Sequence, residues 1–453
     1  MSDWKLHTPT GVSDILPEQC GQKKEIEETL RMVYATMGYM EVETPSFEFY
    51  DVFAGHGGQI SQENMFKFFD EKGRILTLRP DITTSIARLG ATKDIGENLP
   101  LRFSYTGNVF RAEQTEGARL REFTQSGIEL IGSDTPRADA EVIAASIEAM
   151  LALGLEEFHV EIGQVAFFNG LVSQSKISKD DAAVLCERVD NKDSIGISEI
   201  LKKTDTDENI KKLILDLPYM FGGLEVTEKA EIDGLNADSK AALDNIRDIY
   251  NILCDYGFEK YISIDLGMLR RIDYYTGSIF RCFTNGVAFP ICAGGRYDNL
   301  ISKFGRNLSA VGAAFGVNRL MTALRKAGVE SDGLLIPSTL IFTEKGADAN
   351  AYSLAYNLRV NGCIVEMYID DGDHRDAESY SKDKNIECMI RVFADGRVMI
   401  KDFEKNEIIE TSMEEFIGYA AGDDEHSRCC GHEHDDCGCG HEHAHGCGCG
   451  HEH

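Results

Sequence analysis

The chain has 453 residues, enough for two or three separately cored domains. It is 43% hydrophobic and 27% charged, with a formal net charge of -30, which is the composition of a soluble globular protein and weighs against nucleic acid as the main ligand. The opening MSDWKLHTPT lacks the basic and apolar regions of a signal peptide, and no apolar run approaches the ~18 residues of a membrane helix, so no membrane association and a cytoplasmic location are expected.

In chain order, Ile26, Leu30, Val33 and Met37 fall at helical spacing within 22–37, and Gly38 ends that helix. YMEVETPSFEFY reads as a strand with Pro45 at an edge or an end. MFKFF and RILTLRP flank Asp70–Gly73 as a β-hairpin, and DITTSIARL restarts a helix with Asp81 placed to cap it. LRFSYTGNVFRAE and LREFTQSGIELIG are strand-like runs joined by the loop QTEGAR. Pro136 opens a helix through Ala140, Ile143, Ile147 and Leu151, and FHVEIGQ is a further strand. Residues 165–255 are mostly helical, with LPYMFGG as a break. YISIDLG, YYTGSIFRCF and VAFPICAGG return to strand, and a helix near 315–326 closes the unit. The pattern is α+β: a largely antiparallel sheet with flanking helices and a helical insertion at about 170–255. After a linker at 327–337, strands and helices alternate again, giving a core over 1–326 and a small α/β domain over 335–420.

Several stretches carry polar groups suited to a small zwitterion. RRIDYYTGSIF sets Arg270 beside Tyr274 and Tyr275, and AGGRYDNL adds Tyr297. In LRPDITT, Asp81, Thr83 and Thr84 suit an ammonium group, although taken alone the stretch reads first as a plain helix cap. Gln125 and Glu129 lie four residues apart on a strand and so share a face. Arg111, Arg119 and Arg121 surround the QTEGAR loop, as either an anion-binding set or ordinary surface arginines. GAAFGVNRL reads as an apolar, small-residue helix in which Arg319 needs an anionic partner if buried.

Taken in order, HTPTGVSDILPE, the strand ending at Pro45, LRPDITT, the arginine loop, RRIDYYTG, AGGRYD and GAAFGVNRL resemble the class II histidyl-tRNA synthetase catalytic core over roughly 7–325. The last domain looks like the anticodon-binding domain of that family. The family has two branches: the synthetase, and a regulatory paralogue that activates and feedback-regulates ATP phosphoribosyltransferase in the first step of histidine biosynthesis. Asp81 where synthetases usually carry Glu, Arg271 in place of a glycine, and the segments VEIGQVAFFNGL and LPYMFGGLEV lean to the regulatory branch. The 335–420 domain also carries nine Lys and Arg against seventeen Asp and Glu, the wrong sign for reading RNA.

The resemblance implies that Asp81, Thr83 and Gln125 hold the ammonium group of L-histidine. Glu129 with Tyr274 or Tyr275 would read the imidazole, Arg270 would meet the carboxylate and Tyr297 would line the pocket. In the regulatory reading no residue is catalytic and no cofactor is required. The partner is a short-form catalytic ATP phosphoribosyltransferase subunit, joined by a homodimer of this chain within a hetero-oligomer. Arg111, Arg119, Arg121 and Arg319 would be the phosphate-binding set, and in a histidine–tRNA ligase Arg111, Arg270 and Arg319 would serve catalysis. A histidine- or metal-responsive binding protein without an enzyme partner is a third reading.

Thirteen cysteines divide into two populations. Cys20, Cys186, Cys254, Cys282, Cys292, Cys363 and Cys388 are scattered, as small apolar residues of a reducing compartment would be. The other six belong to a tail over 423–453 that repeats CGCGHEH and should be disordered without metal. Its candidate metal ligands are Cys429, Cys430, His432, His434, Cys437, Cys439, His441, His443, His445, Cys447, Cys449, His451 and His453. These donors suit zinc, nickel or copper(I).

Overall fold

The computed structural model describes residues 4–54, 61–92, 99–112, 120–269, 275–329, 337–370 and 372–420. The chain divides into two units, Met1–Leu334 and Leu335–His453.

The first unit opens with α1 (Pro17–Thr36), which starts earlier than helical spacing alone suggests because Pro17 occupies its first turn, where no N–H is needed. It buries Ile26, Leu30 and Tyr34. The expected strand around Pro45 is two short pieces, β1 (Met40–Glu41) and β2 (Phe47–Phe49). Pro45 lies between them, where its missing N–H breaks no ladder. After the short α2 (Asp51–Ala54), β3 (Lys67–Phe69) and β4 (Ile75–Leu78) form the expected hairpin, and β2, β4 and β3 make a three-stranded sheet. Next come α3 (Thr83–Thr92), then β5 (Leu101–Phe110) and β6 (Glu122–Ile131), which pair antiparallel along all ten residues.

Helix α4 (Pro136–Ala152) is mostly buried, and β7 (Phe158–Gln164) follows it. The insertion contains α5 (Val165–Gln174), α6 (Lys179–Asp190), α7 (Ser194–Leu201), α8 (Glu208–Asp216), the two-residue β8 (Phe221–Gly222), α9 (Glu225–Ala230) and α10 (Ala237–Asp255). Ser178, Asp193, Asp207 and Asn236 cap α6, α7, α8 and α10 with their side chains, which satisfies first-turn N–H groups. The unit ends with β9 (Ile262–Asp265), β10 (Ser278–Thr284), β11 (Cys292–Arg296), β12 (Ala310–Gly316) and α11 (Val317–Ala327). GAAFG is therefore strand rather than helix, and only the residues after it turn helical.

These strands form one nine-stranded sheet in the order β1-β5-β6-β12-β11-β10-β7-β9-β8. Only β1–β5 and β7–β9 pair parallel, so the sheet is largely antiparallel. One side packs on α1, α4 and the insertion, in a core that includes Tyr34, Ile143, Phe167, Ile246 and Phe280. A smaller core on the other side gathers Ile82, Phe103, Tyr105 and Tyr297.

The second unit is a five-stranded sheet ordered β14-β13-β15-β16-β17. Its elements run β13 (Thr339–Thr343), α12 (Asp348–Val360), β14 (Val365–Met367), α13 (His374–Asp383), β15 (Cys388–Val392), β16 (Arg397–Asp402), β17 (Glu407–Ser412) and α14 (Met413–Ala420). β14, β13 and β15 are parallel, with helices as the connections that parallel strands require, and β16 and β17 extend the sheet antiparallel.

Candidate functional site

The site grows from the registers of β5, β6, β12 and β11. Glu129 on β6 stands opposite Phe103 on β5 and Gly312 on β12, and Gly312 stands opposite Gly295 on β11. Two residues along, Gly127 lies opposite Tyr105 and Ala314, and Ala314 opposite Ala293. Directly opposed residues share a sheet face, so this face is floored with glycine and alanine. The floor is a geometric need. A Cβ at Gly312 would lie 1.7 Å from Glu129 Oε2, and one at Gly127 would lie 2.6 Å from the Tyr105 hydroxyl. A Cβ at Gly295 would lie 2.9 Å from the Tyr275 ring. Large polar side chains therefore lie flat across a trough that side chains at these positions would fill.

Glu129 is the centre of this trough and is only 1% exposed. The Thr83 hydroxyl donates to its Oε1 at 2.7 Å, and the Tyr297 hydroxyl donates to its Oε2. Burial pushes the Glu129 carboxyl up to about 7, against the two hydroxyls that favour its charged form, while the nearby Asp81 raises it further. Asp81 is itself buried, and burial lifts its carboxyl above the usual range. Its Oδ1 accepts from the Thr84 amide at 2.8 Å, so it does cap α3, and Arg111 is close enough to favour its charge. Two buried carboxyls with hydroxyls between them are arranged to receive N–H donors.

The structure thus brings Asp81, Thr83, Glu129, Tyr275 and Tyr297 to one place. Gln125 lies two pleats along the same face from Glu129, half-buried, opposite Gly107 and Gly316. Arg270, Arg119 and Tyr274 lie outside the described residues, as does the whole Cys/His tail. Among the described residues no cluster of His, Cys, Asp or Glu is poised to hold a metal.

The described arginines of the expected phosphate set are occupied differently. Arg111 Nε donates to the Pro80 carbonyl at 3.1 Å, and its guanidinium lies 5.2 Å from the Phe123 ring centre. Arg121 carries the turn at Gly11 on its methylenes: φ at Gly11 is +86°, and a Cβ there would lie 2.7 Å from Arg121 Cγ. Arg319 is exposed rather than buried in an apolar helix. It follows the last residue of β12 by three positions, and its Nη1 donates to the Pro290 carbonyl at 2.7 Å.

Sequence reasoning overlooked Tyr105 and Asp139, and it counted the AGGRYD arginine, Arg296, among the cations of the pocket. Pairing LRFSYTG with FTQSGIEL in antiparallel register would have placed Tyr105 beside Gly127, on the Glu129 face. The Tyr105 and Thr84 hydroxyls are buried without a hydrogen-bond partner among the described residues. Burial also holds the Tyr105 phenol well above its ordinary value.

A glycine-floored antiparallel sheet with helices behind it and buried acids across its face is the core of a class II synthetase-like protein. The family model for histidyl-tRNA synthetase matches residues 11–320. The chain belongs to this family, in the branch of ATP phosphoribosyltransferase regulatory subunits. A relative with that name from Acetivibrio thermocellus is 44% identical over 92% of this chain and 100% of its own length. Another from Ruminiclostridium cellulolyticum is 41% identical over 92% of this chain and 99% of its own. Among solved structures, the Bacillus halodurans ATP phosphoribosyltransferase regulatory subunit/histidyl-tRNA synthetase superposes with a TM-score of 0.77 at 32% identity, covering 86% of this chain and 99% of that one. The Nostoc histidyl-tRNA synthetase superposes at 0.74 with 21% identity, over 92% and 98% of the two chains, which is a likeness of fold.

Proposed function

We propose that this chain is a non-catalytic regulatory subunit that binds L-histidine in the trough and activates and feedback-regulates a short-form catalytic ATP phosphoribosyltransferase in the cytoplasm. The observation that carries the ligand assignment is Glu129, a buried carboxyl held by Thr83 and Tyr297 and facing a space floored by glycine. An imidazole N–H or an ammonium group is the donor such a carboxyl wants, and leaving it unfilled costs free energy. Asp81, Thr83 and Gln125 would take the ammonium group, Glu129 with Tyr274 or Tyr275 the ring, Arg270 the carboxylate, and Tyr297 would line the pocket. Histidine occupancy would then bias the assembly toward an inactive state, with coupling of typically ~1–3 kcal/mol.

The names of the relatives support the partner. The acidic small domain supports the absence of an RNA substrate, since like charge repels a polyanion. The exposed Phe47, Phe49 and Phe68 on one face of the three-stranded sheet suit a homodimer contact within the hetero-oligomer. Histidine-dependent exchange between ATP and pyrophosphate tests the reading. No exchange, with histidine bound in calorimetry and activation of a short-form catalytic subunit, is the expected result. Strong exchange would instead make the chain a histidine–tRNA ligase, with Arg111, Arg270 and Arg319 in catalysis.

The tail adds a second activity. Its six cysteines and seven histidines within 429–453 repeat one spacing, and thiolate with imidazole is a donor set for zinc, nickel or copper(I). All of the Acetivibrio relative aligns within 92% of this chain, so the regulatory function does not require every residue found here. Titration of the full chain with cobalt(II) should give thiolate-to-metal absorption that zinc displaces. A spectrum unchanged by replacing the tail cysteines with serine would end the assignment.

A further inference from the structure

Arg296 is the arginine of AGGRYD, adjacent to the pocket tyrosine, yet it is not a ligand cation. It is 6% exposed, and its guanidinium is taken up below the floor of the trough. Nε and Nη2 donate to the Asp139 carboxylate, the latter at 2.8 Å, and Nη1 donates to the Ser133 carbonyl at 2.9 Å and to Asp298 Oδ1 at 3.1 Å. Asp139 lies in the first turn of α4, is fully buried, and also accepts from the Ser278 hydroxyl.

The same residues hold both walls of the pocket. The Arg296 carbonyl accepts from the Thr276 amide at 2.8 Å, directly after Tyr275. The Thr276 hydroxyl donates to Asp298 Oδ2 at 3.0 Å and accepts from the Asp298 amide at 3.1 Å. Gly277 rests on the Arg296 side chain, with its virtual Cβ 3.0 Å from Cδ. Between Arg296 and Asp298, Tyr297 points the other way, to Glu129, while its amide bonds the Ala310 carbonyl at 2.7 Å. One buried ion pair therefore fixes the strand end that carries Tyr297 and the anchor of the segment that carries Tyr275.

We propose that Asp139 and Arg296, with Asp298 and Thr276, are the positioning residues of the histidine pocket and set how closely it discriminates the imidazole ring. They touch no ligand; they act through Tyr297, Tyr275 and Glu129. This rests on the histidine-sensing reading. Without the ion pair, the Tyr297 hydroxyl is no longer held on Glu129, and a half-satisfied buried network loosens as a unit.

The test is calorimetry of the full chain with L-histidine and with its two ring-N-methylated analogues, for wild type, Asp139→Asn and Thr276→Val. Asp139→Asn should weaken histidine by about tenfold or more, the usual scale for losing a hydrogen bond to a charged group. It should also narrow the gap between histidine and the methylated analogues. Thr276→Val, a milder and partly buried change, should move both quantities the same way by a smaller factor, and it decides the matter if Asp139→Asn does not fold. Lower melting temperatures with unchanged affinity and unchanged ring discrimination would make the network purely structural and overturn the proposal. Failure of the wild type to bind histidine at all would overturn the sensing reading itself, a different result from unchanged binding in the variants.

Discussion

The two ends of the trough are built on different principles. At the Glu129 end, buried polar groups converge on one carboxylate: Thr83 and Tyr297 donate to Glu129, Asp81 lies close by, and the Thr84 and Tyr105 hydroxyls are buried there without a hydrogen-bond partner among the described residues. At the Gln125 end, beyond Gly316, cations meet the protein's own carbonyls: Arg111 takes Pro80 and Arg319 takes Pro290. Burial makes the first end expensive to leave unfilled. At the second end Arg319 is exposed and Arg111 half-buried, and backbone carbonyls satisfy their donors at less cost. On the proposed histidine-sensing reading, the contrast assigns ligand selectivity to the Glu129 end, and a mutational series should show a steep gradient from one end to the other.

The largest effect is expected at the floor. Gly312→Ala puts a methyl where the Glu129 carboxylate lies, so the carboxylate must leave Thr83 and Tyr297 or the strands must part. Histidine binding should be lost, and overpacking should cost about 1–3 kcal/mol in stability. Calorimetry and thermal melts measure the two separately. A Gly312→Ala protein with wild-type affinity would mean that Glu129 is not the ring reader.

Glu129→Gln comes next. Histidine affinity should fall by roughly 10–100-fold, since a charged acceptor is replaced by a neutral one. Stability should move the opposite way at alkaline pH. Burial raises the Glu129 carboxyl from its ordinary 4.5 to about 7. The folded state then holds a proton that the unfolded chain releases, so this contribution is fully present below pH 4.5 and is lost as pH rises through 7. Without ligand, wild type should therefore lose stability across that window, and Glu129→Gln should flatten the slope. Melting temperatures from pH 5 to 8 decide it. Histidine that needs the ionised carboxylate should bind more tightly as pH rises through the same range, with a proton released on binding.

Much of this end was legible in the sequence. Hydrophobic periodicity located α4, and strand alternation put Gln125 and Glu129 on one face, because both patterns report directly on burial. The strand GAAFG was misread for a reason that belongs to the site. A strand flooring this trough cannot carry the branched residues that announce a strand on that face, since a side chain at Gly312 would collide with the Glu129 carboxylate. Arg296 was grouped with the pocket cations because sequence gives no sign of which face a residue takes at a strand end. Its partner Asp139 lies 157 positions away, beyond any local pattern.

The smallest effect should come from Arg319→Ala, and its smallness is informative. Arg319 is exposed, its hydrogen bond to Pro290 is on the surface, and its stacking distance of 5.7 Å from the Phe289 ring is the loose contact of a solvated pair. Such interactions contribute about 1 kcal/mol or less. Histidine affinity should therefore change by no more than about twofold, within a fraction of a kcal/mol. A larger loss would show that the two ends are energetically joined through β12, whose last residue, Gly316, is three positions before Arg319 and whose Gly312 underlies Glu129. In that case an occupant of the arginine end would alter histidine binding, and by reciprocity histidine would alter its affinity by the same factor. The twofold limit thus separates a sensor with one determining end from a sensor that reads two ligands along one strand.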